Sequence, residues 1–358
     1  MTRKKYFTPV LRIGLLACVL LFSLPGCERQ KPVNEFNETV FTFGTLVEVT
    51  IVGAEEQHAL AAYSAILDDF NYMHTTWHAW KPNALARISS LLKTGASFSL
   101  APSVLPLITS AQTLSTQSEG LFNPAIGQLV KLWGFHSDSR DELLPPPSQT
   151  EIDALLTDLP NMNDVVIEGL SMRGTNKNLQ LDFGGFAKGY AVDVAIEHLR
   201  ELGIKNAIIN AGGDLRAIGR HDDRAWRIGI RRPRAEGVFA SVDIEGDESV
   251  FTSGDYERFF ESDGKRYHHI IDPRTGYPAS QTRSVTVIHR DGATADAAAT
   301  ALFVAGPKDW HRIARSMGIK YVMLIDQQGR AHMNPAMAKR IQFDRSIGNP
   351  EIILSATL

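Results

Sequence analysis

Short segments rich in β-branched and aromatic residues recur along this chain in runs, without a helix after each one. A doubly wound parallel sheet needs a crossover helix between successive strands. The pattern therefore predicts an α+β fold: a mixed or antiparallel sheet with helices packed against it. Strand-like stretches cover 40–52 (broken at Gly44), 164–167, 179–183, 206–210, 226–231, 240–244, 249–252, 267–271, 284–289 and 321–325. Helical patterns cover 55–70, 102–117, 150–157, 187–202, 294–304 and 307–317. In the first, Tyr63, Ile66, Leu67 and Phe70 fall at i, i+3, i+4 and i+7, one face of a helix. Gly203 stops the helix at 187–202. Residues 137–150, with three consecutive prolines at 145–147, read as a loop. No linker interrupts the rest, so one continuous domain is expected over 39–345, followed by a C-terminal tail at 346–358.

The beginning of the chain has a different logic. Arg3, Lys4, Lys5 and Arg12 precede an apolar run at 13–22. Leu24-Pro25-Gly26-Cys27 follows. A basic start, a short apolar core and small residues before a break make a secretory signal peptide over 1–26. The apolar run is too short for a membrane-spanning helix, which needs about 20 residues. The tetrapeptide resembles the bacterial lipobox, which implies lipidation of Cys27 after cleavage. Residues 27–38 then read as lipidated cysteine and polar tether. The expected location is the periplasmic side of the inner membrane, held by the lipid. Cys18 leaves with the leader, so no disulfide or cysteine metal cluster is open to one mature chain. Cleavage takes the formal charge from −3 to −7. A mildly acidic chain gives no reason to expect a nucleic-acid partner, which calls for a basic face.

Four segments place polar and small residues where a core sequence would not. Leu181-Asp182-Phe183-Gly184-Gly185-Phe186-Ala187-Lys188-Gly189-Tyr190 reads as a strand end, a glycine turn and a helix start. Backbone N–H groups at such a turn can bind phosphate, although an ordinary structural turn has the same composition. The lysine spacing is not that of a P-loop. Asn210-Ala211-Gly212-Gly213-Asp214 offers an acid at a tight turn, and a purely structural turn suits it equally. Ser253-Gly254-Asp255-Tyr256 precedes His268-His269-Ile270-Ile271-Asp272-Pro273. Neighbouring histidines on a strand point to opposite faces, so at most one should face a site. Asp296 and Thr300 lie i, i+4 on an alanine-rich helix and share one face. A carboxylate, a hydroxyl and a backbone carbonyl would suit Mg²⁺. A helix-dipole acid with a packed threonine is the plainer alternative.

Together with Phe122-Asn123-Pro124 and Leu132-Trp133-Gly134-Phe135, these segments recur in the order of the FAD:protein FMN transferases. The chain resembles that family (the ApbE family, formerly labelled thiamine biosynthesis lipoproteins) from about residue 40 to 326. The resemblance implies transfer of the FMN part of FAD to a Thr or Ser hydroxyl of an acceptor flavoprotein. A phosphoester forms and AMP leaves. It implies Mg²⁺ held by Gly185, Asp296 and Thr300. It implies FAD contacts from Phe43, Trp80, Leu121, Phe122, Asn123, Asp182, Lys188 and Ile271. His269 is the candidate for taking the hydroxyl proton, with Asp296 able to share that task. Three positions depart from the family pattern. Phe43 replaces a common methionine, His78-Ala79-Trp80 replaces a Ser-Thr-aromatic stretch, and Asn123 stands where Asp is common. The implied acceptors are flavin-carrying subunits of Na⁺-translocating NADH:quinone reductase or related membrane redox complexes. A metal-dependent FAD pyrophosphatase and a non-catalytic flavin-carrying lipoprotein are the alternative readings. Asp296→Ala is expected to abolish Mg²⁺-dependent transfer and leave the fold intact.

Overall fold

Alternation along the strands explains the layering of the domain. In Tyr321–Asp326, Val322 and Leu324 point to one core while Met323 and Ile325 point to another. Val285 and Val287 of the strand Thr282–His289 join the first core, and Ile288 joins the second. A strand with apolar side chains on both faces must be covered on both. In this computed structural model, which describes residues 1–2, 34–137, 145–244 and 246–358, both faces are covered. Helices pack on one side. A three-stranded sheet of Trp226–Arg231, Val238–Ile244 and Gln342–Phe343 packs on the other. Cys27 and residues 3–26 of the expected leader lie outside the described residues.

Asn34–Leu358 is one compact unit built on a nine-stranded sheet. Its spatial order is Glu35–Thr42, Thr45–Val52, Ala207–Ala211, Asp214–Gly219, Gly246–Gly254, Thr282–His289, Tyr321–Asp326, Ala331–Met333 and Ile352–Leu354. Every pair is antiparallel except the last, which is parallel. The expected α+β class and mixed sheet are thus observed. Thr42 pairs with Thr45 across a two-residue turn, with Phe43 at φ 52° and Gly44 at φ 75°. Positive φ at both positions matches the right-handed strand twist, and glycine suits the second. A phenylalanine in this region is uncommon, and its N–H donates to His74 Nδ1 at 3.2 Å.

Two long helices place the functional groups. Ala187–Glu201 buries Ala191, Val192, Ala195, Ile196 and Leu199 against the sheet. Gly292–Ser316 begins with Asp291 accepting the Thr294 N–H at 2.7 Å, a standard N-cap. It contains a break at Gly306 (φ 69°) and Pro307, which separates the two helices expected at 294–304 and 307–317.

Several expected boundaries move. The first helix runs over Glu56–Trp77, and its buried stripe is Ala59, Ala62, Ile66, Phe70, Met73 and Trp77, so Tyr63 and Leu67 sit at the stripe's margin. The strand expected at 179–183 is an extended loop with one bridge, Gln180 to Ile126, because its backbone pairs with the neighbouring loop. There the Asp182 N–H donates to Pro124 O at 2.8 Å. The strand expected at 267–271 is Lys265–His268, ending where the His269 N–H turns to Arg258 O. Glu35–Glu38, read as tether, belong to the first strand, and Ile352–Leu354, read as tail, adds a strand at the far edge.

Candidate active site

The elements above enclose a cavity of about 490 Å³, within the usual range for a ligand pocket. The hairpin turn supplies Phe43, Gly44 and Thr45, and the end of the first helix supplies His74 and Trp77. Trp80, Leu121, Phe122 and Asn123 form an apolar and aromatic wall. Asp182, Gly184, Gly185 and Lys188 form the floor, with Thr300 beside them. Glu257, Arg258, His269 and Ile271 close the opposite side.

The glycine turn is fixed from both ends. Phe183 and Phe186 are buried and their rings meet at 6.1 Å, which anchors the backbone on either side of Gly184 and Gly185. Asp182 accepts the Gly184 N–H at 2.8 Å through one oxygen and the Trp80 Nε1–H at 3.0 Å through the other. It therefore sets the angle of the indole at the cavity wall. A Cβ on Gly185 would lie 2.9 Å from Thr300 Oγ1, so only glycine permits this approach of turn and helix. Thr300 Oγ1 lies 3.4 Å from Ser253 Oγ. Gly189 approaches even closer, since a Cβ there would meet Gly292 O at 2.2 Å.

Charge is concentrated at this junction. Lys188 Nζ pairs with Asp214, which also accepts the Thr252 N–H at 2.9 Å. Burial pulls the Lys188 ammonium down, but Asp214, Asp296 and Glu257 together more than reverse this, so it stays charged. Asp296 is only 5 % exposed and accepts the Gly189 N–H at 3.0 Å. Burial, with Asp214 and Asp193 nearby, pushes its carboxyl up against the pull of Lys188. Glu257 is pushed up for the same first reason, with Asp214 and Asp296 adding to it. His269 Nδ1 lies 3.2 Å from Arg258 O, and since a carbonyl can only accept, Nδ1 is the donor and carries the proton. Nε2 is then the unprotonated ring nitrogen. Desolvation foremost, then Arg258 and His268, push His269 down to about 3. His268 is turned inward, its Nε2 2.7 Å from Ala279 O, as the opposite-face argument required of one of the two.

Every site residue singled out from the sequence within the described residues borders the cavity except Asp296. Asp296 lies under the floor, one helical turn from Thr300. Asn123 borders the cavity, but its amide is engaged by the Ala125 N–H at 3.1 Å and by Pro160 O at 3.0 Å. No group of three or more His, Cys, Asp or Glu able to hold a metal occurs among the described residues. The Gly185 carbonyl, Thr300 hydroxyl and Asp296 carboxylate nevertheless fit Mg²⁺ in chemistry. That ion commonly uses one or two carboxylates and takes its remaining oxygens from water and substrate phosphates. The close approach of Gly185 to Thr300 brings those two residues side by side. The sequence reading passed over Glu257, Arg258, His74, Trp77 and His136. Buried Trp77 Nε1 and His136 Nδ1 have no hydrogen-bond partner among the described residues, and both belong to residues lining the cavity. Unsatisfied groups at a cavity are what a polar ligand would relieve.

Residues 43–323 match the ApbE family. The chain is 41% identical over 311 residues to the FAD:protein FMN transferase of Rhodobacter capsulatus, an alignment covering 87% of this chain and 59% of that protein. It is 31% identical to the FAD:protein FMN transferase of Vibrio cholerae, covering 88% and 94%. Among solved structures, the ApbE protein of Thermotoga maritima has a TM-score of 0.75 at 28% identity, covering 88% of this chain and 98% of that one. The apo Pseudomonas stutzeri flavinyl transferase ApbE has a TM-score of 0.74 at 30% identity, covering 87% and 98%.

Proposed function

This chain belongs to the ApbE family, and from that premise we propose that it is a flavinyltransferase using FAD as substrate and a protein hydroxyl as acceptor. The observation that carries the reading is the meeting of the 182–188 turn with the Thr300 face of the central helix at the floor of an aromatic-walled cavity. The wall suits flat rings, and the floor, joined by a divalent cation, would suit a diphosphate.

In the proposed reaction the acceptor Thr or Ser oxygen attacks the FMN-side phosphorus of FAD. A new P–O bond forms, the anhydride P–O bond breaks, and AMP leaves with the electron pair. The chain's own residues do four things. Trp80, held by Asp182, together with Phe43, Leu121, Phe122 and Ile271, seats the flavin or adenine ring. Asn123 braces the loop that carries Leu121 and Phe122. Lys188, kept cationic, faces the phosphates. His269 takes the acceptor proton at Nε2, because Nδ1 already donates to Arg258 O. Gly185, Asp296 and Thr300 would hold Mg²⁺, whose charge offsets that of the diphosphate oxygens.

The N-terminal motif extends the proposal: lipidation at Cys27 would tether the enzyme at the periplasmic face of the inner membrane. There it would act on flavin-carrying subunits of Na⁺-translocating NADH:quinone reductase or related complexes, and the tether would raise its effective concentration beside them. The test incubates the protein with FAD, Mg²⁺ and such a subunit, then reads acceptor mass and released AMP. A gain of one FMN with AMP release is expected. AMP with free FMN alone would make the protein a pyrophosphatase. Retained FAD without turnover would make it a carrier.

A further inference from the structure

The helices Ala187–Glu201 and Gly292–Ser316 hold each other's first turns. The Gly189 N–H, in the first turn of one, has no acceptor within its own helix and donates to Asp296 on the other at 3.0 Å. In return, the first two N–H groups of the second helix, those of Gly292 and Ala293, donate to Asp193 on the first. Each bond is 2.8 Å, and each goes to a separate carboxylate oxygen. Gly189 and Asp193 are i, i+4, and Ala293, Asp296 and Thr300 are i, i+3 and i+7, so each set occupies one helix face. One bonded end would leave the helices free to pivot; two fix their register. Asp193 is itself held, since its Oδ1 also accepts Arg216 Nη1–H at 2.8 Å, and the buried Arg216 is braced by Glu197 and Asp247. Asp193 does not border the aromatic-walled cavity, so any effect on a ligand there passes through the helices.

We infer that Asp193 is a positioning residue for the cation and the diphosphate: by gripping the start of the Gly292–Ser316 helix it sets where Asp296 and Thr300 stand relative to Gly185 and Lys188. This rests on the flavinyltransferase reading for what binds at the floor. The gripped helix carries Asp296 about one turn, and Thr300 about two turns, beyond the held amides. A slide of that helix moves both proposed ligands together, away from a glycine turn that belongs to the start of the other helix. Groups that orient metal ligands are typically worth about 10–100-fold in metal affinity.

The experiment compares the parent protein with Asp193→Asn at pH 8, where this carboxyl, pushed up to about 7 by burial first and Asp291 second, is mostly ionised. Asparagine keeps the size of the side chain, but its NH₂ group cannot accept, so at least one of the three N–H donors loses its partner. Val242→Ala is the control for lost stability, because it opens a hole in the core under the three-stranded sheet, on the far side of the main sheet from the helices. Two quantities are read. The Mg²⁺ dissociation constant, by titration calorimetry with FAD present and no acceptor, should rise about tenfold or more in Asp193→Asn and stay at the parent value in Val242→Ala. Amide hydrogen exchange at Gly189, which Asp193 does not touch, should quicken about tenfold together with that at Gly292 and Ala293, in Asp193→Asn alone. A parental Mg²⁺ dissociation constant in Asp193→Asn, or an equal rise in both variants, would overturn the positioning role. Quickened exchange confined to Gly292 and Ala293 would also overturn it, by reducing Asp193 to a local cap. Absence of Mg²⁺ binding in the parent would instead strike at the metal reading, and exchange at Gly189 would still decide whether Asp193 sets the register.

Discussion

At the residue scale, Asp296 is both a candidate ligand and a structural acceptor. Its oxygen satisfies the buried Gly189 N–H. Asp296→Ala would leave that donor unpaired, at a cost of about 1–3 kcal/mol, so loss of activity in this variant would be mixed with loss of stability. This differs from the sequence expectation of an intact fold, which treated the residue as partly open. Asp296→Asn keeps an acceptor oxygen and removes the charge. It should melt close to the parent in a thermal scan yet lose FMN transfer by roughly a hundredfold or more. Transfer at the parent rate would remove Asp296 from the chemistry. His269 makes a second prediction. With its pKa near 3, the imidazole is already in the neutral, proton-accepting form throughout pH 5–8. The His269→Gln variant should therefore lower kcat/KM by a similar factor across that range, typically 10²–10⁴ for a lost base. An acid limb near pH 6.5 that disappears in the variant would contradict the low value. The histidine was legible in the sequence because two adjacent imidazoles stand out. Glu257 was not, since nothing in its local spacing shows that it returns to the cavity about 70 residues after Lys188.

At the scale of elements, the decisive contact is between two helices that lack side chains where they meet. Gly189 lies against the backbone of Gly292 and Ala293, and a Cβ there would sit 2.2 Å from one carbonyl and 2.9 Å from the next nitrogen. Backbone cannot swing aside as a side chain can. Gly189→Ala should cost about 3 kcal/mol, the upper end of typical overpacking, read as a lower denaturant midpoint at constant m-value. A shift under a few tenths would show that the helices separate freely. The same packing explains which elements the sequence revealed. Trp226–Arg231 and Tyr321–Asp326 carry clean apolar signatures and were readable nearly to the residue. Asp214–Gly219 was missed because Arg216 sits in its middle. That arginine is buried and paired with Asp193, Glu197 and Asp247, a partnership between distant segments that no local window contains. Residues 179–183 were misassigned for the opposite reason: they have strand composition, but their backbone partners are a loop.

At the scale of the whole molecule, one cavity draws its wall from the first hairpin, the loops at 121–124 and 182–185, the 257–271 region and the central helix. Segments so far apart in the chain converge only in the folded state, so a ligand bound there must stabilise the fold by linkage. The ordered motifs made that convergence readable, but not its sign of charge. Lys188 is one cation among Asp214, Asp296 and Glu257, so the floor opposes a diphosphate until a divalent cation joins it. FAD alone should then raise the melting temperature little, and Mg²⁺ alone little more. Together, at about 100 times the dissociation constant, they should add roughly 2.7 kcal/mol, a shift of a few degrees by scanning calorimetry for a chain of this size. The excess of the joint shift over the two separate shifts measures the coupling of cation to dinucleotide. It should vanish in Asp296→Asn, where one negative charge is gone from beneath the floor and one proposed ligand from the cation. An equal FAD shift with and without Mg²⁺ would mean that the dinucleotide binds without a cation bridging it to Gly185 and Thr300.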